Sequence, residues 1–392
     1  RLRSNGFSGE GEMDFEFTEE QKILRDTVRK FVIRECPREV VRAHDEEERF
    51  PAELFEKMAA LGWMGIPYPE RYGGLGGNAI DLTIVLEEIA RGMRALATAY
   101  YATVVLGGQA IYHGGTEDQK LKYIPLICQG EIKLALSLTE PNAGSDLASL
   151  STTATVEDDH FLINGQKTFC TLADQAHFIV MAVRTQKDAP KHRGISLVIV
   201  PGNQKGMTIR KIPKLGIRAI SACEIFLSDV RIPKENLLGD LNQGWTSILK
   251  TLDMERLTLA AVAVGDTQAI LEEALSHAKE RVQFGQPIGK FQLIQAMLAD
   301  MRVELEAARL LTYHLAWLIS EGRPCHMESS IAKLYASEAC MRAAVNGMQI
   351  LGGYGYTMEY DMQRHFRDAK INEIGGGSSQ IQRLIISREM GL

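Results

Sequence analysis

Several features that would announce a chemistry are missing from this sequence. Its six cysteines form no C-x-x-C pair and none stands near a histidine in a ligand spacing, which reads as a reduced, intracellular protein without a zinc or iron–sulfur site. Basic charge is not in excess. Forty-four Lys and Arg against 50 Asp and Glu leave −6, so the chain lacks the basic stripe of a nucleic-acid-binding protein. There is no Walker A motif and no secretory signal, and residues 1–12 are polar enough to read as a tag or linker remnant. Long apolar runs are absent too. Residues 95–116 carry no charge, but Gly107, Gly108, Gln109, His113, Gly114 and Gly115 interrupt them, so a buried core helix is expected rather than a membrane span.

What is present is length and an ordered change of texture. At 392 residues the chain has room for two or three domains, and 45% hydrophobic with 24% charged residues is an ordinary globular balance. From Phe17 to about Gly130 the spacing is helical. Thr18 and Gln21 suit a capping box, and Ile23, Leu24, Val28, Phe31 and Val32 recur as one face. Leu54, Phe55, Met58 and Leu61 follow Pro51 until Gly62 stops the helix. From about Ile132 to Asn242 strands take over. Asn164-Gly165 between residues 160–163 and 166–169 predicts a hairpin with a type I′ turn, and 178–183, 195–200 and 224–227 are further strands. After Trp245 helical patterns return over 299–320 and 330–351. The expected division is 13–130 helical, 131–244 β and 245–392 helical, which does not build a doubly wound sheet.

Glycine is the one residue in excess, 35 in all or about 9% against a usual ~7%. Leu138-Thr139-Glu140-Pro141-Asn142-Ala143-Gly144-Ser145-Asp146 follows a short strand and offers backbone N–H groups and hydroxyls to a polar ring edge or an anion. Arg281-Val282-Gln283-Phe284-Gly285 sets a guanidinium beside an aromatic ring. Gly375-Gly376-Gly377-Ser378-Ser379-Gln380 leads into a helix, a ready anion or polar-ligand site. Gly352-Gly353-Tyr354-Gly355 follows a helix rather than a strand, so it is no dinucleotide loop. Alone, each cluster reads most simply as a helix stop or tight turn.

Collinear, and joined by Gln349-Ile350-Leu351-Gly352-Gly353 and Ser378-Ser379-Gln380-Ile381-Gln382-Arg383-Leu384-Ile385, these segments resemble the acyl-CoA dehydrogenase family over essentially the whole chain after Met13. The resemblance implies a mostly α protein with a central β domain: an N-terminal helical bundle, a β-barrel-like middle domain and a C-terminal four-helix bundle. It implies a homotetramer, a dimer of dimers, with FAD at a subunit interface. By the same resemblance Leu138, Thr139, Gly144, Ser145, Phe169 and Thr171 would line the flavin, Phe169 standing where many relatives have tryptophan. Arg281, Gln283, Phe284, Gln292, Gln349 and Gly353 would reach its diphosphate and adenosine from the neighbouring subunit, and Ser378 and Gln380 would complete that contact. The implied reaction is α,β-dehydrogenation of an acyl-CoA thioester, with electrons passed to an electron-transfer flavoprotein, in a bacterial cytoplasm or alternatively the mitochondrial matrix.

Many family members carry the catalytic glutamate in the terminal loop, at the position of Gly376 here. A second arrangement, in isovaleryl-CoA and long-chain relatives, puts it in a Leu-Asp-x-Glu-Arg segment; Leu252-Asp253-Met254-Glu255-Arg256 matches, so Glu255 is the expected base. Its helical neighbours Thr251, Leu252, Thr258 and Leu259 include no cation for a simple surface ion pair, which suits a functional carboxylate. The plain alternative is a charged patch at a helix start. Gly376 would hold the thioester oxygen through its N–H. Ser145, Asp253, Arg256, Gly375, Tyr100 and Tyr101 are the expected substrate contacts. Asp253 and Arg256 would lie along the pantetheine arm or form an ordinary ion pair. The glycines at 375 and 376 suggest room for a short, medium or branched acyl chain, with Tyr100 and Tyr101 setting the far wall. Glu373 is an alternative base, whereas Glu140, Cys170, His177 and His314 read as structural. The same glutamate-and-glycine combination recurs in crotonobetainyl-type enoyl-CoA reductases. An oxygen-using oxidase and a non-catalytic flavin scaffold complete the alternatives.

Overall fold

The computed structural model describes residues 16–392, so the expectation for residues 1–12 lies outside it. The N-terminal helices are α1 (Glu19–Glu35), α2 (Arg38–Glu46), α3 (Ala52–Ala60), α4 (Ala79–Gly92), α5 (Arg94–Tyr101), α6 (Gly108–Gly114) and α7 (Glu117–Cys128). The Thr18–Gln21 capping box is closed in both directions, and Val28, Phe31 and Val32 are buried. Ile23 departs from the expected face and is 66% exposed; at about 100° per residue it lies roughly 140° around the helix from Val28. The uncharged stretch is buried and helical, but a π-helical turn, Ala102–Gly107, separates α5 from α6. Glycine is required there: a Cβ on Gly108 would lie 1.9 Å from the Tyr68 hydroxyl oxygen.

Strands β1 (Leu134–Ser137), β2 (Thr153–Val156), β3 (His160–Thr171), β4 (Phe178–Arg184), β5 (Ile195–Pro201), β6 (Met207–Lys211), β7 (Ala222–Pro233) and β8 (Leu237–Leu238) form one eight-stranded sheet. Its path is β6-β7-β3-β2-β4-β5-β8, with β1 pairing parallel to β4. Phe161, Ile163, Ile179, Met181, Val198, Ile225 and Val230 fill its core. The hairpin expected at Asn164-Gly165 is not formed; both residues lie inside the continuous strand β3. They make a bulge against β7 instead, where the register shifts between Ile163 and Gly165. Asn164 and Asp229 lock it, Asn164 Nδ2 donating to Asp229 Oδ1 and the Asp229 N–H to Asn164 Oδ1. The turn into β3 comes earlier, where the Glu157 N–H donates to the His160 carbonyl.

The C-terminal part holds α8 (Gly244–Glu280), a ribbon of β9 (Val282–Gln283) and β10 (Gln286–Pro287), then α9 (Gln292–Ser320), α10 (His326–Leu351), α11 (Met362–Ala369) and α12 (Ser379–Glu389). Alanines at 260, 263, 274, 332, 336 and 343 let these helices pack closely. α8 also touches α4, α5, the π-turn and β5. Leu259 belongs to the N-terminal core and Leu257 to the C-terminal one, while Met254 touches both. Glu255 therefore sits where the regions of the chain converge. Among the described residues no helix is long and apolar enough to cross a membrane.

Candidate active site

A Cβ placed on Gly376 would lie 3.4 Å from Glu255 Oε1 and 2.2 Å from Leu259 Cδ1. The carboxylate from α8 thus comes to the edge of the position where a side chain at 376 would begin. Gly376 has φ +62 and Gly377 φ +85, a backbone that glycine adopts without strain. The room expected beside Gly376 is taken by Leu259, so this position offers no free volume for an acyl branch. Burial raises the Glu255 carboxyl above its ordinary range, while the positive charges of Arg256 and Lys333 pull the other way.

The i, i+3 pair of Asp253 and Arg256 is formed at 3.2 Å, and its surroundings are richer than a simple pair. Ser329 Oγ donates to Asp253 Oδ1 at 2.7 Å and accepts from Arg256 at 3.1 Å, and His326 Nδ1 lies 2.7 Å from Asp253 Oδ2. The two tyrosines separate. Tyr100 is fully buried and donates to the Trp63 carbonyl at 2.9 Å, so it belongs to the N-terminal core rather than to a wall beside Glu255. Tyr101 is the member of the pair within the fields of Arg94 and Glu255; burial raises its pKa and keeps it neutral. Glu373 forms an ion pair with Lys370.

The segment 138–146 is tied down by a buried pair. Lys167 Nζ donates to Glu140 Oε1 at 2.8 Å and to the Leu138 carbonyl at 3.1 Å. Glu140 also accepts from the N–H groups of Ser151 and Thr152. Burial opposes its ionisation, but the Lys167 charge and these hydrogen bonds outweigh it and hold the carboxyl below the usual range. The Thr168 N–H then donates to the Thr139 carbonyl at 2.9 Å, bringing the 138–146 segment to β3. Phe169 stands at the second bulge of β3 with φ +55 and 66% of its surface exposed. A left-handed aromatic residue held out of the core is a strained arrangement of the kind found at functional sites. Gly144 has open space on its Cβ side, and Ser145 is exposed beside it. Thr171 is half-buried at the end of β3. Cys170 is buried and its thiol is pushed up to about 12 by desolvation, as befits a packed residue. His177 accepts from the Lys133 N–H, and His314 stacks on Trp317.

The other cofactor candidates gather elsewhere. Arg281, Gln283 and Gly353 line a cavity of about 400 Å³ together with His277 and Tyr354. The Arg281 guanidinium lies over the Tyr354 ring, 5.1 Å from its centroid. Phe284 is 94% exposed at φ +51, and Gln292 and Gln349 are exposed as well. No middle-domain candidate lines this cavity. Ser378 caps α12, accepting from the Ile381 N–H, and Gln380 is exposed on its first turn.

Two residues unmarked in the sequence reading complete the neighbourhood of Glu255. Lys333 Nζ donates to the Gly377 carbonyl at 2.7 Å, and Gln382 Nε2 donates to the Gly376 and Gly377 carbonyls at 3.0 Å each. Lys333 was detectable as a lysine among Ala332, Ala336 and Ser337 on a helix, an expensive place for a charge. A further buried set joins Arg94, Asp266 and Asn372, with Arg94 donating to both others at 2.8 Å. Burial raises Asp266 to about 6.

The chain matches the acyl-CoA dehydrogenase N-terminal domain over residues 18–131, the middle domain over 135–230 and the C-terminal domain over 242–391. It is 43% identical over 379 residues to a probable acyl-CoA dehydrogenase, YngJ, of Bacillus subtilis, covering 96% of this chain and 100% of that one. It is 40% identical to the caffeyl-CoA reductase-Etf complex subunit CarC of Acetobacterium woodii, covering 95% and 98%. Butyryl-CoA dehydrogenase from Megasphaera elsdenii superposes with a TM-score of 0.93 at 36% identity, covering 97% and 100%. With all three domains matched in order and the relatives covered almost end to end, this chain belongs to the acyl-CoA dehydrogenase family of oxidoreductases.

Proposed function

We propose that this protein holds FAD and oxidises an acyl-CoA thioester to its trans-2-enoyl product, with Glu255 removing the α-proton. The observation that carries this reading is the half-buried Glu255 carboxylate at the Cβ-less Gly376. A thioester α-proton is weakly acidic, so its removal needs a desolvated carboxylate and donors for the enolate oxygen. Glu255 is desolvated. Among the described residues no backbone carbonyl accepts the Gly376 N–H, which leaves that group for the thioester oxygen. Asp253, Arg256 and Ser145 are the polar groups for the pantetheine arm, with Gly375 and Tyr101 nearer the acyl chain.

The residues fit FAD. Phe169 offers an exposed aromatic face, Gly144 and Gly353 leave their Cβ sides open, and Arg281 supplies a guanidinium at the cavity for a diphosphate. When bound, FAD would take up the β-hydrogen as hydride at its N5. The separate middle-domain and Arg281 groups suit a cofactor shared between two copies, the pairing expected within a homotetramer built as a dimer of dimers. An electron-transfer flavoprotein is the proposed acceptor, a reading supported by the Etf complex in the name of the Acetobacterium relative.

The test is anaerobic titration of the flavin-loaded protein with short-, medium-, branched- and long-chain acyl-CoAs, read by flavin absorbance. Bleaching with one class is expected. No bleaching with any would favour a non-catalytic scaffold, and rapid turnover with oxygen alone an oxidase. That relative's name also favours a second reading, enoyl-CoA reduction, in which Glu255 returns the proton. Reoxidation of the reduced protein by an enoyl-CoA much faster than bleaching by its acyl-CoA would support it.

A further inference from the structure

Lys333 is 1% exposed in the middle of α10, on a face otherwise made of Ser329, Ala332, Ala336, Ser337 and Cys340. Removing an ammonium from water costs several kcal/mol, so something must offset it. One hydrogen bond, to the Gly377 carbonyl, does part of this. Arg256 is already paired with Asp253, Glu373 with Lys370, and Glu338 with Arg383. Glu255 has none of these pairings and forms no direct ion pair with Lys333, but the two flank one stretch of backbone: Glu255 Oε1 lies 3.4 Å from where a Cβ on Gly376 would stand, and Lys333 holds the next carbonyl, that of Gly377.

Lys333 also holds the loop beside the carboxylate. Its bond to Gly377, with the two bonds from Gln382 to Gly376 and Gly377, fixes the peptide planes that follow Gly376. Fixed planes and a φ of +62 at Gly376 together set the direction of the Gly376 N–H.

We propose that Lys333 is a positioning residue for proton transfer: its ammonium, held on the Gly377 carbonyl, favours the charged form of Glu255 across the Gly376 backbone, and it anchors the 375–377 loop against that carboxylate. The proposal rests on reading Glu255 as the base. The groups facing the pair are Arg256 on α8, Glu373 in the segment Lys370–Glu373, Glu338 on α10 and Tyr101 on α5. Burial pulls Lys333 down to about 8, so it carries charge through neutral pH.

The experiment uses FAD-loaded full-length protein and the variants Lys333→Met, Lys333→Arg and Gln382→Leu. The Glu255 carboxyl is titrated by infrared difference against Glu255→Gln in each background, which needs no turnover. Lys333→Met should raise the Glu255 midpoint by about one pH unit or more, the size expected for losing a neighbouring charge. Lys333→Arg should bring it most of the way back. Gln382→Leu should leave the midpoint in place and lower the rate at every pH. The acid limb of kcat/KM should move with the infrared midpoint, with a loss of up to roughly tenfold below the wild-type midpoint that recovers as pH rises above the variant's. An unchanged midpoint in Lys333→Met, with flavin spectrum and Tm intact, overturns the proposal. If Lys333→Met does not load FAD, Lys333→Gln, which keeps an N–H for Gly377 but no charge, decides by the same titration. If no acyl-CoA bleaches the wild type, the functional reading falls while the infrared midpoint still decides Lys333.

Discussion

At Glu255, burial and two nearby cations act against each other, and burial wins: the carboxyl sits above its ordinary range. Such a group is a stronger base once ionised than a solvated glutamate. Glu255→Gln is expected to keep FAD and ligand binding and to lose ~10²–10⁴ in turnover, measured as the rate of anaerobic bleaching. Near-normal bleaching would move the base to Glu373. The neighbouring glycine allows a second experiment. In a Glu255→Gly background, Gly376→Glu should restore only a small part of the rate, because φ is +62 and Leu259 Cδ1 stands 2.2 Å from the new Cβ. Adding Leu259→Ala should raise the recovery severalfold. Equal rates with and without that third change would show that Leu259 is no obstacle. Glu255 was singled out by the Leu-Asp-x-Glu-Arg match and does stand beside Gly376, whereas the occupant of the space at 376 was not legible. A missing side chain says nothing about which neighbour fills its volume.

At the scale of elements, β3 and the 138–146 segment form one unit through Lys167 and Glu140. Breaking a buried ion pair by removing one partner costs about 3–5 kcal/mol, since the other charge is left without compensation. Lys167→Met should therefore lower the unfolding free energy read from urea denaturation by that order and weaken FAD retention together, whereas Lys167→Met with Glu140→Gln should recover much of the stability. A single variant with wild-type stability would mean that Glu140 takes a proton without cost. Element type was largely readable: the Thr18 cap, the Gly62 stop and the strand runs all correspond to formed elements. Asn164-Gly165 was misread because a two-residue turn signal is local, whereas the bulge is made by Asp229 on the facing strand. Ile23 matched the apolar spacing only if the face was drawn too wide.

Across the whole molecule, α2 is joined to the 359–361 segment by Arg38, which pairs with Asp361 at 3.0 Å. Glu273 on α8 accepts from the Asp361 N–H at 3.2 Å. Burial, with the Asp361 charge adding to it against Arg38 and Arg364, raises Glu273 to about 7. His365 beside it is held neutral, pushed down to about 3 by burial. A carboxyl raised on folding contributes stability that is full below its unfolded pKa near ~4.5 and is lost as pH rises through the folded value. The stability of Glu273→Gln relative to wild type should thus grow by about 3 kcal/mol between pH 4.5 and 8. Urea unfolding at pH 5 and pH 8 checks this; a gap independent of pH would refute it.

The sequence by itself determined the alternation of helical, strand and helical regions and the caps and stops that bound several elements. These depend on spacing along the chain, which periodicity and motif order record. Tertiary structure decided the rest: Leu259 filling the space at Gly376, Tyr100 bonding to the Trp63 carbonyl in the N-terminal core, and Lys333 reaching the loop from α10. Each is a contact between elements distant in sequence, where packing and charge compensation act on volumes and fields that no local pattern contains.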